Sequence, residues 1–388
     1  MQRKTLLVSI AFRALLIACG AFAADAARAD GGQQPFAPQF IVSSTIPANG
    51  DLNPYGVAIV PEGFPSGGKI ATGDVLVSNF NNSSNLQGTG VTIIKLRPTG
   101  AVAPSVSPGQ SGNATTYFTS NLNGVTTALG ILQRGFVLVG NLPSTDGTFK
   151  THGPGALQVV DSKGNLVTTF TDPKFLGSPW DLTINDGGAH AQLFVSNVVK
   201  GTVARLDLAV GSGGVSILSK NEIADGYAHH GNPVAFVLGP TGLAYDKYAD
   251  VLYVASTLDN AIYAVPAAGT RTSPPPGGKG NLVFSDPHLR GPLALAFTAI
   301  GNLVTTNGDA VNPDPTHPSE IVEFTKAGKF VSESNVDASQ GGAFGIAIQP
   351  FPFKFAAVDD VPNTITVFTI PSPFGGASAQ IAVRPAGK

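Results

Sequence analysis

The sequence predicts an all-β fold: a six-bladed β-propeller of four-stranded antiparallel blades, closed by its N-terminal strand. Three observations predict it: a short motif recurring six times at blade-sized spacing, strand patterning with no helical period, and a composition rich in turn formers. Gly 47 and Pro 30 make about a fifth of the 388 residues, against 43% hydrophobic and only 12% charged. Such a chain has many turns yet enough apolar residues for a core, which excludes long coiled coils and disorder.

The motif is a small residue or Pro, then x-Gly-x-Ala, an apolar strand, and later Val-Ser-Asn. Its copies start at Pro54, Ala128, Pro179, Pro240, Pro292 and Ala343, which are 74, 51, 61, 52 and 51 residues apart. This is the spacing of propeller blades carrying insertions, not of solenoid coils of about 20 to 30 residues. Between copies the apolar runs are short, β-branched and bounded by Gly, Pro, Asn or Asp. The third unit offers 182–184, 192–196, 202–208 and 215–218 as strands; the fourth offers 242–245, 251–255, 261–265 and 281–284. Small residues on the inner strand have a steric reason, because blades converge at the axis. For closure, 39–45 has strand character and is expected to complete the last blade, with 379–384 as its competitor. The propeller then spans 39–370 and is followed by a Pro/Gly-rich tail, 371–388.

Pro240-Thr241-Gly242-Leu243-Ala244-Tyr245-Asp246, then Val251 to Ser256 and Asp259 to Val265, resemble the NHL repeat, which pairs a Pro-x-Gly-[Ile/Leu]-Ala strand with a Tyr-Val-Ala strand. The resemblance implies a six-bladed propeller and leaves activity open. Such propellers include protein-binding modules, lactone hydrolases of the gluconolactonase and regucalcin type, and amidating and streptogramin lyases. The gluconolactonase-type group begins its first blade with a metal-binding Glu just before Gly-Pro, whereas Asn53-Pro54 stands here.

The long connections 79–90, 141–154, 225–239 and 307–319 fall on one face, those of the opposite face being shorter except for 61–73, and the candidate site is placed on the first. The second strands end in Asn79, Asn141, Asn197 and Asn307, with Asp359 at the matching point of the last unit. These are candidate ligand-binding residues, and a ring of oxygens could hold Ca²⁺. The same residues commonly close Asx-turns on their own backbone. Asp181 occupies a slot where the other units have Gly or Ala, so it is a candidate catalytic base and, with Asp359, a candidate metal ligand. His230 is the candidate catalytic imidazole among five loop histidines that could build a Zn²⁺ site. Trp180 could stack on a sugar ring or fill space between blades.

Arg3, Lys4 and Arg13 precede an apolar run to Ala24, and Ala27-Arg28-Ala29 fits a signal-peptidase site, so 1–29 reads as a signal peptide and the protein as secreted or periplasmic. Leu16-Ile17-Ala18-Cys19 alternatively reads as a lipobox anchoring the chain at Cys19. No later segment approaches the ~20 apolar residues of a membrane span. Lys+Arg 23 against Asp+Glu 25 leaves no positive excess for nucleic acid. The expectation is a monomeric module recognising a protein, peptide or glycan through its insertion-rich face. The alternative is a metal-dependent hydrolase or lyase, lactonase-like, at the channel mouth.

Overall fold

In a computed structural model, residues 39–97, 115–308, 316, 320–336, 343–349 and 353–369 are described. The signal-peptide and Cys19 readings, His317, the competing closure segment 379–384 and the tail all lie outside them. Six four-stranded antiparallel sheets form a ring. Among the described residues there is no α-helix, only a 3₁₀ turn at Phe149–Thr151, and no helix long and apolar enough to cross a membrane.

Blade 1 comprises, from the axis outward, Leu52–Ile59, Val75–Asn81, Thr92–Leu96 and Thr115–Thr119. Blade 2 comprises Val125–Leu132, Phe136–Asn141, Ala156–Asp161 and Leu166–Phe170. Blade 3 comprises Pro179–Asp186, His190–Asn197, Thr202–Gly211 and Gly214–Ala224. Blade 4 comprises Pro240–Asp246, Val251–Ser256, Ala261–Pro266 and Asn281–Phe284. Blade 5 comprises Pro292–Phe297, Leu303–Asn307, Glu320–Phe324 and Phe330–Asn335. Blade 6 takes Ala343–Gln349, Lys354–Asp359 and Thr364–Thr369 from the C-terminal side, and Gln39–Ser44 supplies its outer strand. That closure runs antiparallel from Gln39 opposite Thr369 to Ser44 opposite Thr364. Thr45 then fastens it, donating both its N–H and its hydroxyl to the Asn363 carbonyl at 2.9 Å.

The core is divided among the blade interfaces. Val75, Val77, Ile94 and Leu96 of blade 1 meet Ala356, Val358, Ile365 and Val367 of blade 6, so the first and last blades are joined by apolar burial as well as by the ladder. The largest cluster joins blades 2 and 3 through Leu138, Leu157, Leu193 and Leu206, all with no exposed surface. Each such leucine contributes about 1.5–3 kcal/mol of transfer free energy.

One irregularity repeats in all six blades and shapes the axis. Every inner strand slips register against its second strand, between Pro54 and Val57, Val125 and Leu129, Pro179 and Leu182, Pro240 and Leu243, Pro292 and Leu295, and Ala343 and Ile346. The bulged residues turn away from the ladder, and hydroxyls make good the lost bonds. Ser78 Oγ accepts the Gly56 N–H at 2.8 Å and donates to the Thr126 carbonyl of the next blade at 2.7 Å. Thr306 does the same between Ala294 and Phe344. The Ser of the recurring Val-Ser-Asn is therefore a bulge clasp.

This register corrects the second repeat unit. Ala128-Leu129-Gly130 matches the motif by composition, but Leu129, not Ile131, pairs as Leu182 does, and Val125 takes the place of Pro179. Blade 2 has one extra bulge residue, with Thr127 and Ala128 at the narrow slot, while Gly130 packs on the Leu182 and Ile184 side chains.

Candidate functional site

The bulges line a cavity of about 470 Å³ along the axis of the ring. Its walls form three tiers. At the insertion-bearing end stand Tyr55, Trp180 and Phe344, with Thr241 and Leu293. Below them lie Gly56, Thr127, Asp181, Ala294 and Gly345. Next comes an aliphatic collar with one residue from each blade: Val57, Leu129, Leu182, Leu243, Leu295 and Ile346. The cavity continues to Phe297, Thr298 and the exposed Ala299 at the opposite face.

Small residues dominate the middle tier because the neighbouring blade leaves no room. A Cβ at Gly345 would strike the Tyr55 carbonyl, one at Gly242 the Leu293 carbonyl, and one at Gly56 the Thr127 carbonyl at 2.7 Å. Blade 3 admits a side chain at this slot, and that side chain is Asp181. Its backbone N–H donates to Ser196 Oγ at 3.0 Å. One carboxylate oxygen accepts the Leu182 N–H at 2.8 Å, and the other accepts the Leu243 N–H of blade 4 at 3.2 Å. Two peptide N–H groups are modest compensation for a half-buried carboxylate facing a largely aliphatic cavity. Desolvation outweighs them and pushes Asp181 up to about 7. Among the described residues lining the cavity, Asp181 is the only charged side chain.

Trp180 flanks it, buried at 4% exposure, edge-on to Tyr55 (centroids 5.8 Å) and Phe80 (5.3 Å). It both fills space between blades and borders the cavity. Tyr55 is stacked between Phe80 and Phe344 at 4.8 and 4.6 Å. Over this tier folds a hairpin from the blade 3 to blade 4 connection, His230–Asn232 paired with Phe236–Leu238. Its Ala235, Val237 and Leu238 face the cavity. Phe236, buried and at φ +63°, lies edge-on to Phe80 and Phe149, and Gln87 Nε2 donates to the Val234 carbonyl at 2.7 Å. A bulky residue in the left-handed region is held there only by its surroundings. Connections of blades 1 and 2 thus pin a roof that begins at blade 3.

The other sequence-derived candidates lie elsewhere. Asn79 donates to the Thr45 carbonyl at 3.0 Å, Asn141 to those of Leu122 and Asn123 at 3.3 Å, and Asn307 to that of His288 at 2.8 Å. Asn197 accepts the Ser178 N–H and donates to the Phe175 carbonyl. Each amide ties the second strand to the connection entering its own blade, and none of the four borders the cavity. Asp359 is buried and accepts the Val361 N–H at 3.0 Å, an Asx-type turn rather than a wall of the channel. His230 is exposed, with Nδ1 2.7 Å from the Gly231 carbonyl. His152, His229 and His288 likewise bond within their own loops, to the Phe149 carbonyl, the Tyr227 carbonyl and the Asp286 carboxylate. Among the described residues no three His, Cys, Asp or Glu come together to hold a metal. Asp181 and Asp359, the candidate ligands for Ca²⁺ or Zn²⁺, are thus not joined by such a group among the described residues. The collar and the roof were not anticipated, although the aliphatic residue following each Gly slot was visible in the repeats.

No family model matches the chain, and no curated protein is similar to it in sequence. Solved structures similar to it include a gluconolactonase from Xanthomonas campestris, 13% identical over 83% of this chain and 88% of that one, with TM-score 0.47. A luciferin-regenerating enzyme is 10% identical over 85% and 95%, with TM-score 0.49. A protein of Thermus thermophilus described as an oxidoreductase (glucose dehydrogenase) is 11% identical over 85% and 100%, with TM-score 0.49. The likeness is one of propeller fold.

Proposed function

We propose that the protein acts on a small, largely apolar molecule held in the axial channel, with Asp181 as the group that takes or gives a proton, in the class of hydrolases and lyases. The observation that carries this reading is a single carboxylate, held near neutrality by desolvation, facing a void of ligand size. A base with such an affinity for protons is half-ionised at neutral pH and works in either direction. No step is routed through a metal. The insertion-bearing face, which its long loops offered as a surface for a protein, peptide or glycan, commits Phe149 and Phe236 to roofing the channel. In this reading the N-terminal leader delivers the chain outside the cytoplasm.

The test is turnover of aryl esters and of five- and six-membered lactones, with and without an amino substituent. The expected kcat/KM rises with pH toward a plateau above about 7. Asp181→Asn lowers it by about 10²–10⁴, while His230→Ala leaves it unchanged. Equal activity of Asp181→Asn and the parent protein at pH 8 sinks the proposal.

A further inference from the structure

We infer that the molecule Asp181 meets is an apolar amine, with its ammonium group at the carboxylate and its hydrocarbon part lying along the aliphatic collar. This rests on the channel being the functional site. It comes from the polarity of the walls rather than from their shape alone. Among the described lining residues there is one acidic side chain and no basic one. Three of the lining hydroxyls have spent their protons on the protein. Thr127 donates to the Trp180 carbonyl, Thr241 to the Pro292 carbonyl at 3.1 Å, and Tyr245 to Asp250 Oδ1 at 2.9 Å. The N–H groups of Leu182 and Leu243 are already turned to Asp181.

The described lining therefore offers a ligand one negative charge and no positive one, and three classes of ligand separate on that basis. A carboxylate or phosphate ester enters against a like charge with no cation to receive it. A polyol brings several hydroxyls to a collar of Val, Leu and Ile that leaves those beside it unbonded. An alkylammonium brings donors and the opposite charge to a desolvated carboxylate, where attraction is stronger than in water, and buries its chain against the collar. The aromatic tier of Trp180, Tyr55 and Phe344 is a favourable neighbour for a cation.

Trp180 is the only tryptophan of the chain and borders the cavity, so its fluorescence reports occupancy without a label. The experiment titrates the full chain with hexylamine, hexanol and hexanoate at pH 8, three head groups on one hydrocarbon. Hexylamine is expected to shift the emission at about tenfold lower concentration than hexanol, a preference of roughly 1.4 kcal/mol, with hexanoate weakest. In Asp181→Asn the amine and alcohol should fall within about twofold of each other. Hexanoate equal to or tighter than hexylamine overturns the inference. So does a retained tenfold amine preference in Asp181→Asn. If hexanol moves the emission while the amine gains nothing over it, the amine assignment fails and the channel stands. If none of the three moves it, the channel reading fails as well. Should Asp181→Asn not fold, the head-group order in the parent protein decides alone.

Discussion

Asn197 and Asp181 belong to the same blade, one at the exit of the second strand and the other on the inner strand. Asn197 is fully buried, accepts the Ser178 N–H with one end of its amide and donates to the Phe175 carbonyl with the other. Asp181 also accepts two N–H groups, yet its remaining surface faces a cavity and its charge has no cation beside it. The first side chain closes its bonds on the protein and fixes the path of a connection. The second leaves capacity over, and a buried polar group with capacity left over and room in front of it is the one that a ligand can complete. The contrast is not uniform around the ring: the amide oxygens of Asn79 and Asn141 are buried and accept no bond, and the bore carries threonine and tyrosine hydroxyls beside its one described charged side chain.

The steric side of the contrast should yield a large effect. Gly345→Ala restores nothing and collides with the backbone carbonyl of Tyr55, so about 3 kcal/mol of stability should be lost, read as the shift in a urea unfolding curve. A variant as stable as the parent would mean that blade 6 can stand off as blade 3 does at Asp181. Next comes the rim. Asn197→Ala strands a buried N–H and a buried carbonyl and should cost about 2 kcal/mol in the same measurement, with channel binding intact. Loss of binding without loss of stability would return the rim to the list of ligand sites.

A third test is the pH dependence of stability. Asp181 keeps its proton in the folded state to about pH 7, whereas its ordinary value is 3.8. Between those pH values the folded state binds more protons than the unfolded one, so stability falls as pH rises through this window and levels off above it. Asp181→Asn should remove that slope, and urea midpoints measured from pH 4 to 8 would show the two proteins converging at the acid end and separating toward pH 7. Parallel curves would mean that the carboxylate is not desolvated.

The blades were legible because packing around an axis imposes a small residue on most units and an aliphatic residue on all six, with a hydroxyl clasp at Ser78, Ser196 and Thr306. Asp181 was legible as a departure from that rule. Two things were not. The register of blade 2 was masked by Gly130, which imitates the motif by chance and serves instead to admit Leu182 and Ile184. The roof was hidden because its two strands are three residues long, too short for a periodic pattern, and its partners Phe80, Phe149 and Gln87 come from two other blades. The amides at the strand exits were ambiguous for another reason: a sequence shows that an Asn can accept and donate, but not whether a neighbouring carbonyl has already claimed it.

The pairing of Gln39–Ser44 with Thr364–Thr369 makes synthesis of this protein an exercise in waiting. The earliest of the described strands has no ladder partner until the last of them emerges, some three hundred residues later. Through that interval the nascent chain carries an unpaired edge, a template for the wrong partner. Trimming a few residues from either terminal strand would therefore not shorten the molecule so much as leave its circle unsealed.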